Sequence, residues 1–370
     1  MSPLVFISLL AGFVLLIGGA ELLVRGASRL ALSLGVPPIL IGLTVVSLAT
    51  STPELAISLQ SMSTGQADLA VGNVIGSNIA NILLILGLSA AIFPLLVEQR
   101  LVRLDVPLMI LASFALWFFA RDGQINRGEG AVLAAGLVGY LLLVVSMGMK
   151  EGAAVMEEYE HEYGGAKSAA ARTRLANLAL IAAGVALLVW GARLLVDSSV
   201  ILARWFNLSE AIIGLTILAV GTGLPELATS LMAAWRREGD IGVGNAIGSN
   251  LFNILGVLGL TALLAPQGVA VSASLVRFDL PVMAAVAVAC LPVFFIGHRI
   301  SRWEGFLFFA YYLAYLAYLL LDAAQHDALP GFSRVMLGFV IPLTTVTLAV
   351  LVYRQLRSGA GSREKDQPGG

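Results

Sequence analysis

The stretch Thr50-Ser51-Thr52-Pro53-Glu54 lies inside a long apolar segment and has an echo in Thr222-Gly223-Leu224-Pro225-Glu226. A carboxylate at mid-membrane depth costs roughly 2.5 to 3.5 kcal/mol on insertion scales, so acidic residues there usually face a bundle interior or an ion path. The proline beside each glutamate lacks an N–H and crowds the preceding turn, which interrupts the helix. In lipid, freed carbonyls survive only where protein or a watery cavity satisfies them. A carboxylate next to freed carbonyl oxygens is the ligand set of a hard cation.

The composition around these stretches is that of a membrane protein. Of 370 residues, 58% are hydrophobic and only 12% charged, and the mean hydropathy is +0.91. Soluble domains carry about 25% charged residues. A formal net charge of −1 comes with no basic patch suited to nucleic acid. Cys290 is the only cysteine, which excludes an intrachain disulfide and a cysteine-based metal cluster. His161, His298 and His326 fall at segment ends or in loops, so no zinc site is readable and no prosthetic group is expected. The first residues lack the basic region and small-residue cleavage site of a signal peptide, and read as a retained helix.

Apolar runs long enough to span a bilayer, about 20 residues, cover residues 4–23, 37–62, 69–97, 102–120 and 130–149. After a polar linker, 150–174, come 175–196, 210–235, 241–264, 275–296 and 306–321. A last run, 335–353, precedes a charged Gly/Ser tail expected to lack regular structure. From Gly72 to Leu88, 12 of 17 positions recur unchanged 172 residues later, among them Gly72/Gly244, Asn73/Asn245, Gly76/Gly248, Ser77/Ser249, Asn78/Asn250 and Asn81/Asn253. Apolar composition alone does not preserve such polar residues. The chain is a duplication.

Five helices per copy is an odd number, so the second copy lies upside down relative to the first. Charge placement agrees: sixteen Lys and Arg fall on the side reached after odd-numbered helices, including Arg25, Arg29, Lys150, Arg236, Arg237 and Arg354, and five on the other. The positive-inside rule then sets the N-terminus outside, with the linker and C-terminus cytoplasmic. The expected fold is an all-α polytopic membrane protein with two inverted-topology five-helix repeats, residues 1–149 and 175–322. A cytoplasmic linker spans 150–174, and 323–370 holds an extra C-terminal helix and tail. Inverted repeats with broken helices and a midplane site are the mark of secondary transporters.

Depth follows from helix rise. Glu54 to the turn near Gly65, and Asp68 to Asn81, span about 17 and 20 Å, close to half of a ~30 Å core plus an interface. Glu226 and Asn253 reach the same depth from the other side. Asn73, Ser77 and Asn81 share one helix face, as do Asn245, Ser249 and Asn253. The pairs Gly72/Gly76 and Gly244/Gly248 are expected to let backbones approach closely. Oxygen-only ligands with two carboxylates favour Ca²⁺, with Na⁺ at the neutral oxygens, over soft transition metals. Ser47, Ser58 and Ser230 read as packing or back-bonding groups, and Asp68 and Asp240 as helix N-terminal charges.

Through Gly72-Asn-Val-Ile-Gly76-Ser-Asn78, Gly244-Asn-Ala-Ile-Gly248-Ser-Asn250 and the two Pro-Glu-Leu-Ala stretches, the sequence resembles the cation/calcium exchanger family and its bacterial-type sodium/calcium antiporters. The resemblance covers about residues 4–321. It implies ten core helices and alternating access around a Ca²⁺ site made by Glu54 and Glu226 with the backbone carbonyls of Thr50 and Thr222. It also implies Na⁺ sites that share the glutamates and use Ser77, Ser249, Ser51, Asn81 and Asn253. Many relatives carry Asp in one repeat where this chain has Asn81 and Asn253, so two formal charges remain at the centre. Gly223 stands where the first repeat has Ser51, and the run 335–353 is an addition to the core.

The function expected is therefore Na⁺/Ca²⁺ antiport across the plasma membrane, a bacterial inner membrane, rather than an enzyme activity. The alternatives are a proton/calcium exchanger, a K⁺-dependent sodium/calcium exchanger and, in another class, a cation channel. No His-Glu-x-x-His, Ser/His pair or membrane Asp dyad supports an intramembrane enzyme. Partners are Ca²⁺, Na⁺ (with H⁺ or K⁺ as alternatives) and the lipid bilayer. The oligomeric state is not legible.

Overall fold

The computed structural model describes residues 3–63, 66–162, 167–206 and 219–363. Among these, ten helices are long and apolar enough to cross a bilayer. The first six are α1 (Leu4–Leu34), α2 (Pro38–Ser63), α3 (Ala67–Ile92), α4 (Leu101–Asp122), α5 (Arg127–Met147) and α6 (Thr173–Trp205). The described part of the seventh expected run contributes α7 (Leu224–Trp235); residues 210–218 of that run lie outside the described residues. Then follow α8 (Gly239–Leu264), α9 (Leu275–Phe295), α10 (Arg302–Ala323) and α11 (Leu329–Tyr353).

Several helices run further than the sequence reading, whereas α3 ends at Ile92, short of the expected 97, where Phe93 turns extended. α1 continues well past residue 23. The expected linker is largely helical, since helix persists to Glu162 and resumes at Lys167. Its Ala, Glu and Lys are strong helix formers, and polarity ends a membrane span without ending a helix. The tail expected to lack regular structure also continues as helix to Arg363.

Four short strands expose the symmetry. β1 (Leu95–Leu96), after α3, pairs antiparallel with β4 (Arg299–Ile300), after α9. β2 (Gln124–Ile125), after α4, pairs with β3 (Val269–Ala270), after α8. β1 and β3 are repeat equivalents, as are β2 and β4. Such a reciprocal exchange is what a two-fold axis between inverted halves requires. The same exchange runs through the helices: α3 packs on α10, α8 on α5, and α4 on α9. α3 and α8 are the most buried helices, whereas α11 lies at the periphery against α9 and α10.

Within lipid there is no hydrophobic drive between helices, so small residues that admit close backbone contact decide which pairs form. α1 and α6 pack along their length on glycines. A Cβ on Gly19 would lie 2.8 Å from the Gly184 carbonyl, and one on Gly191 2.8 Å from the Leu16 nitrogen. Polar groups fix the remaining joints. Tyr140 of α5 donates to Asp105 of α4 (3.1 Å), and in the second repeat Tyr315 of α10 donates to Asp279, the mate of Asp105 (2.8 Å); Arg100 pairs with Asp105 at 3.5 Å. The matched Glu129 and Glu304 cap α5 and α10 by accepting the Asn126 and Ser301 N–H groups, both at 2.8 Å. Asp68 and Asp240 sit in the first turns of α3 and α8, as expected.

The α1–α6 contact is testable with neighbouring glycines. Gly19→Leu must push backbone aside, at a cost of about 1–3 kcal/mol for overpacking. Gly18→Leu meets nothing within 4 Å. Thermal unfolding in detergent should show a clear loss for the first and little change for the second.

Candidate cation site

α2 breaks where the sequence predicts. Its helix stops at Thr50, Ser51 adopts φ −81°, ψ 0°, and the helix resumes at Thr52 with Pro53 in its first turn. The counterpart Gly223 has φ −84°, ψ 3°, followed by Leu224 and Pro225. The two breaks share one backbone conformation despite Ser in one and Gly in the other. The N–H reaching back across the break is that of Leu55, to the Ser51 carbonyl (3.2 Å), matched by Leu227 to Gly223 (2.9 Å). Pro53 has no N–H to give, and Glu54 directs its own to its own carboxylate. That releases the Thr50 carbonyl; Glu226 does the same one repeat later.

Glu54 and Glu226 are each only 1% exposed. Glu226 lies within electrostatic reach of Glu54 and beside the Thr50 hydroxyl, so the structure brings the two acids and Thr50 together. The second half of α2, which carries Glu54, packs on the π-helical turn Phe252–Leu258 that holds Asn253. α7, with Glu226, packs on the turn Asn81–Leu86. The helix carrying each acid therefore packs on the turn that holds the asparagine of the opposite repeat. A π-helical turn shifts the hydrogen-bond register by one residue and often marks a functional position.

The asparagines bind the repeats together. Asn81 Nδ2 donates to Asn250 Oδ1 (3.0 Å) and Asn253 Nδ2 to Asn78 Oδ1 (3.1 Å). Asn78 and Asn250 also donate to each other's backbone carbonyls, at 3.5 and 3.3 Å. Asn81 and Asn253 thus spend their amide nitrogens on the helix interface. The Oδ1 of Asn253 is buried with no partner among the described residues, together with Glu54 Oε2, Glu226 Oε2, Ser51 Oγ and Ser249 Oγ. Orphaned buried oxygens are costly in a protein interior. These five, two of them carboxylate, are of the oxygen chemistry that a hard cation takes. No three His, Cys, Asp or Glu side chains gather among the described residues, so a cation held here relies on two acids plus neutral oxygens.

Ser77 and Thr222 line a cleft of about 1480 Å³ bounded by α2, α3 and α6. Gly72 and Gly76 border the same cleft and, among the described residues, have nothing within 4 Å. In the second copy the expectation holds: a Cβ on Gly244 would lie 2.8 Å from the Ile39 carbonyl, and one on Gly248 2.7 Å from that of Leu43. Residues 211–218, the repeat equivalents of the stretch that covers Gly244 and Gly248, lie outside the described residues.

Ser47 back-bonds to the Leu43 carbonyl (2.8 Å), as read from sequence. Ser58 and Ser230 instead stand opposite Asn73 and Asn245 (3.5 and 3.4 Å) and position them. Sequence reasoning gave no role to Asn78, Asn250 or Asn245. Yet Asn245 accepts the Thr50 hydroxyl across the repeats at 3.1 Å. The available signal was the retention of Asn78 and Asn250 in both copies, one position off the Asn73/Ser77/Asn81 face.

Inverted five-helix repeats whose broken helices meet at buried acids define a multi-pass secondary transporter for a cation. The chain belongs to the Sodium/calcium exchanger protein family, matched over residues 4–146 and 176–321. It is 42% identical over 242 residues to the inner membrane protein YrbG of Escherichia coli (strain K12), covering 63% of this chain and 71% of that one. To the sodium/calcium exchanger MaX1 of Methanosarcina acetivorans it is 31% identical over 316 residues, covering 77% and 90%. Among solved structures, the sodium/calcium exchanger from Methanococcus jannaschii superimposes with a TM-score of 0.73 at 30% identity, covering 86% of this chain and 99% of that one.

The asparagine exchange predicts strong coupling. Asn78→Ala and Asn250→Ala each strand buried partners, at about 1–3 kcal/mol. Because both act on one network, the double variant should lose less than the sum of the singles. A double-mutant cycle from unfolding midpoints in detergent measures this, and simple additivity would contradict a shared network.

Proposed function

We propose that the chain exchanges Ca²⁺ for Na⁺ across a bacterial inner membrane by alternating access to the site between Glu54 and Glu226. The observation that carries this is the pair of buried carboxylates within electrostatic reach of each other, each with an unpartnered oxygen. Ca²⁺ is held by Glu54, Glu226 and the released carbonyls of Thr50 and Thr222. Na⁺ ions share the two carboxylates and use Ser51, Ser77, Ser249, Asn81 and Asn253. The N-terminus faces outside, and the 150–174 segment and C-terminus face the cytoplasm, as the Lys and Arg distribution supports.

Charge balance gives the coupling. Two ionised glutamates are neutralised by one Ca²⁺ or by two Na⁺, so neither can bind fully while the other stays. In a low-dielectric site an unbalanced charge is expensive, which disfavours movement of the empty, doubly negative site between faces. Exchange rather than leak follows. A third Na⁺ would leave a positive site, and Gly223 lacks the hydroxyl that Ser51 supplies; two-for-one electroneutral exchange is the stoichiometry this supports.

Labelled Ca²⁺ uptake into proteoliposomes tests the reading, with Na⁺ inside one set of vesicles and K⁺ or a pH gradient in matched sets. Uptake should require internal Na⁺. Glu54→Gln and Glu226→Gln should each lower it at least about a hundredfold, the scale of removing one partner from a buried charge pair. Uptake that follows the pH gradient without Na⁺ would make H⁺ the coupling ion, and uptake that needs K⁺ beside Ca²⁺ a K⁺-dependent exchanger. With the membrane potential clamped at different values, the net rate should stay constant for two Na⁺ per Ca²⁺; a potential-dependent rate would require three.

A further inference from the structure

α11 is the helix that the duplication does not account for, and it sits loosely on the rest. Few of its residues are buried; its first turns rest mainly on α10 and its second half on α9. Between the three helices runs a slot of about 340 Å³. α9 lines it from Phe278 to Ala289, α10 from Tyr318 to Leu307, and α11 from Phe332 to Leu348. At 1.5 Å per residue these stretches cover about 16, 16 and 24 Å. They begin near the end of the bundle that carries the α10–α11 connection. One leaflet of a ~30 Å hydrocarbon core is about 15 Å deep, so the slot has the length of a leaflet.

Its walls leave nothing for water to bind. The Tyr311 hydroxyl donates to Thr344 Oγ1 (2.7 Å), which donates to the Val340 carbonyl (2.9 Å), and Thr345 donates to the Ile341 carbonyl (2.8 Å). The Tyr315 hydroxyl is spent on Asp279. The other two hydroxyls lining the slot among the described residues, of Tyr318 and Ser333, lie at its mouth, where Tyr318 stacks on Phe278 at 3.9 Å. A buried water needs two to four polar partners, and a vacant slot would forfeit dispersion contacts along every wall.

The two-fold relation shows what these walls are without α11. By the offsets that match Asp105 with Asp279 and Tyr140 with Tyr315, the slot residues Ala285 and Ala314 correspond to Leu111 and Gly139. Leu111 is 64% exposed, and a Cβ on Gly139 would meet nothing within 4 Å among the described residues. The walls are thus a bilayer-facing surface that α11 roofs without filling. The slot is also continuous with the present lipid-facing surface, since Leu337 lines it and is itself exposed.

We propose that this slot is a phospholipid-binding site, which holds one acyl chain of the adjacent leaflet between α9, α10 and α11. The chain lies against Leu83, in the Asn81–Leu86 turn of α3, and so brings lipid into contact with the helix that carries Ser77 and Asn81. The site does not depend on which ions are exchanged.

Photo-crosslinking in proteoliposomes tests this, with a phospholipid that bears a diazirine midway along one acyl chain and peptide mass spectrometry to locate the label. Wild type should be labelled at the walls, Ala285 and Ala314, as well as at Leu313, which is exposed and does not line the slot. Ala285→Phe fills the slot from one side and Ala314→Phe from the other. Each should cut labelling of the opposite wall at least about tenfold, the change that about 1.4 kcal/mol produces, while labelling at Leu313 holds. Leu313→Phe should leave wall labelling intact. A wild type labelled at Leu313 but not at the walls overturns the proposal, whatever the variants do. So does wall labelling that survives both slot-filling variants, or a free fatty acid with the same diazirine that labels the walls in preference to the phospholipid.

Discussion

Two carboxylates buried within reach of each other, with no basic side chain paired to either among the described residues, are the constraint on which the rest of this structure depends. Dispersing that charge into lipid is costly, so the protein must surround it on every side and leave the compensation to something that comes and goes. The surrounding is done by α3 and α8, the most buried helices, whose asparagines lock to each other across the two-fold axis. The Asn81 and Asn253 nitrogens face the interface, and the Asn253 oxygen is left over. A bifunctional amide suits this position better than a third carboxylate: it can fasten two helices with one end and present a neutral oxygen with the other.

The helix breaks serve the same end. A continuous helix satisfies every carbonyl, and a satisfied carbonyl is a poor ligand. Proline withholds one N–H, and each glutamate turns its own toward its side chain. Together they release a backbone oxygen beside the acid. That Ser51 and Gly223 adopt nearly the same dihedral angles means the conformation is imposed by the following proline and by packing, not by glycine's freedom. Glycine at that point changes the available oxygens and leaves the path of the chain alone.

Much of this was legible in the sequence because its causes are local or repeated. Glu54 and Glu226 declare themselves by the cost of an acid in an apolar run, and Pro53 and Pro225 by the N–H they lack. The inversion follows from an odd helix count and from arginine placement. Asn78 and Asn250 were not legible as fasteners, since their role depends on which helix face meets the other repeat. Helix ends beyond the bilayer were also missed, because hydropathy measures where lipid stops, and Ala, Glu and Lys continue a helix in water as readily as apolar residues do in lipid.

The antiparallel exchange of β1 with β4 and β2 with β3 closes the molecule at both surfaces with the same joint turned over. A device built from one half and its own inversion has no built-in top or bottom. To the extent that the copies agree, the route from either compartment presents the same chemistry, and net flux runs whichever way the ion gradients drive it. Any rectification must reside where the copies disagree. Those positions are few, Ser51 against Gly223 and Glu21 against Arg193 among them, and they are where a duplicated gene could drift from a reversible exchanger toward one with a preferred direction of work.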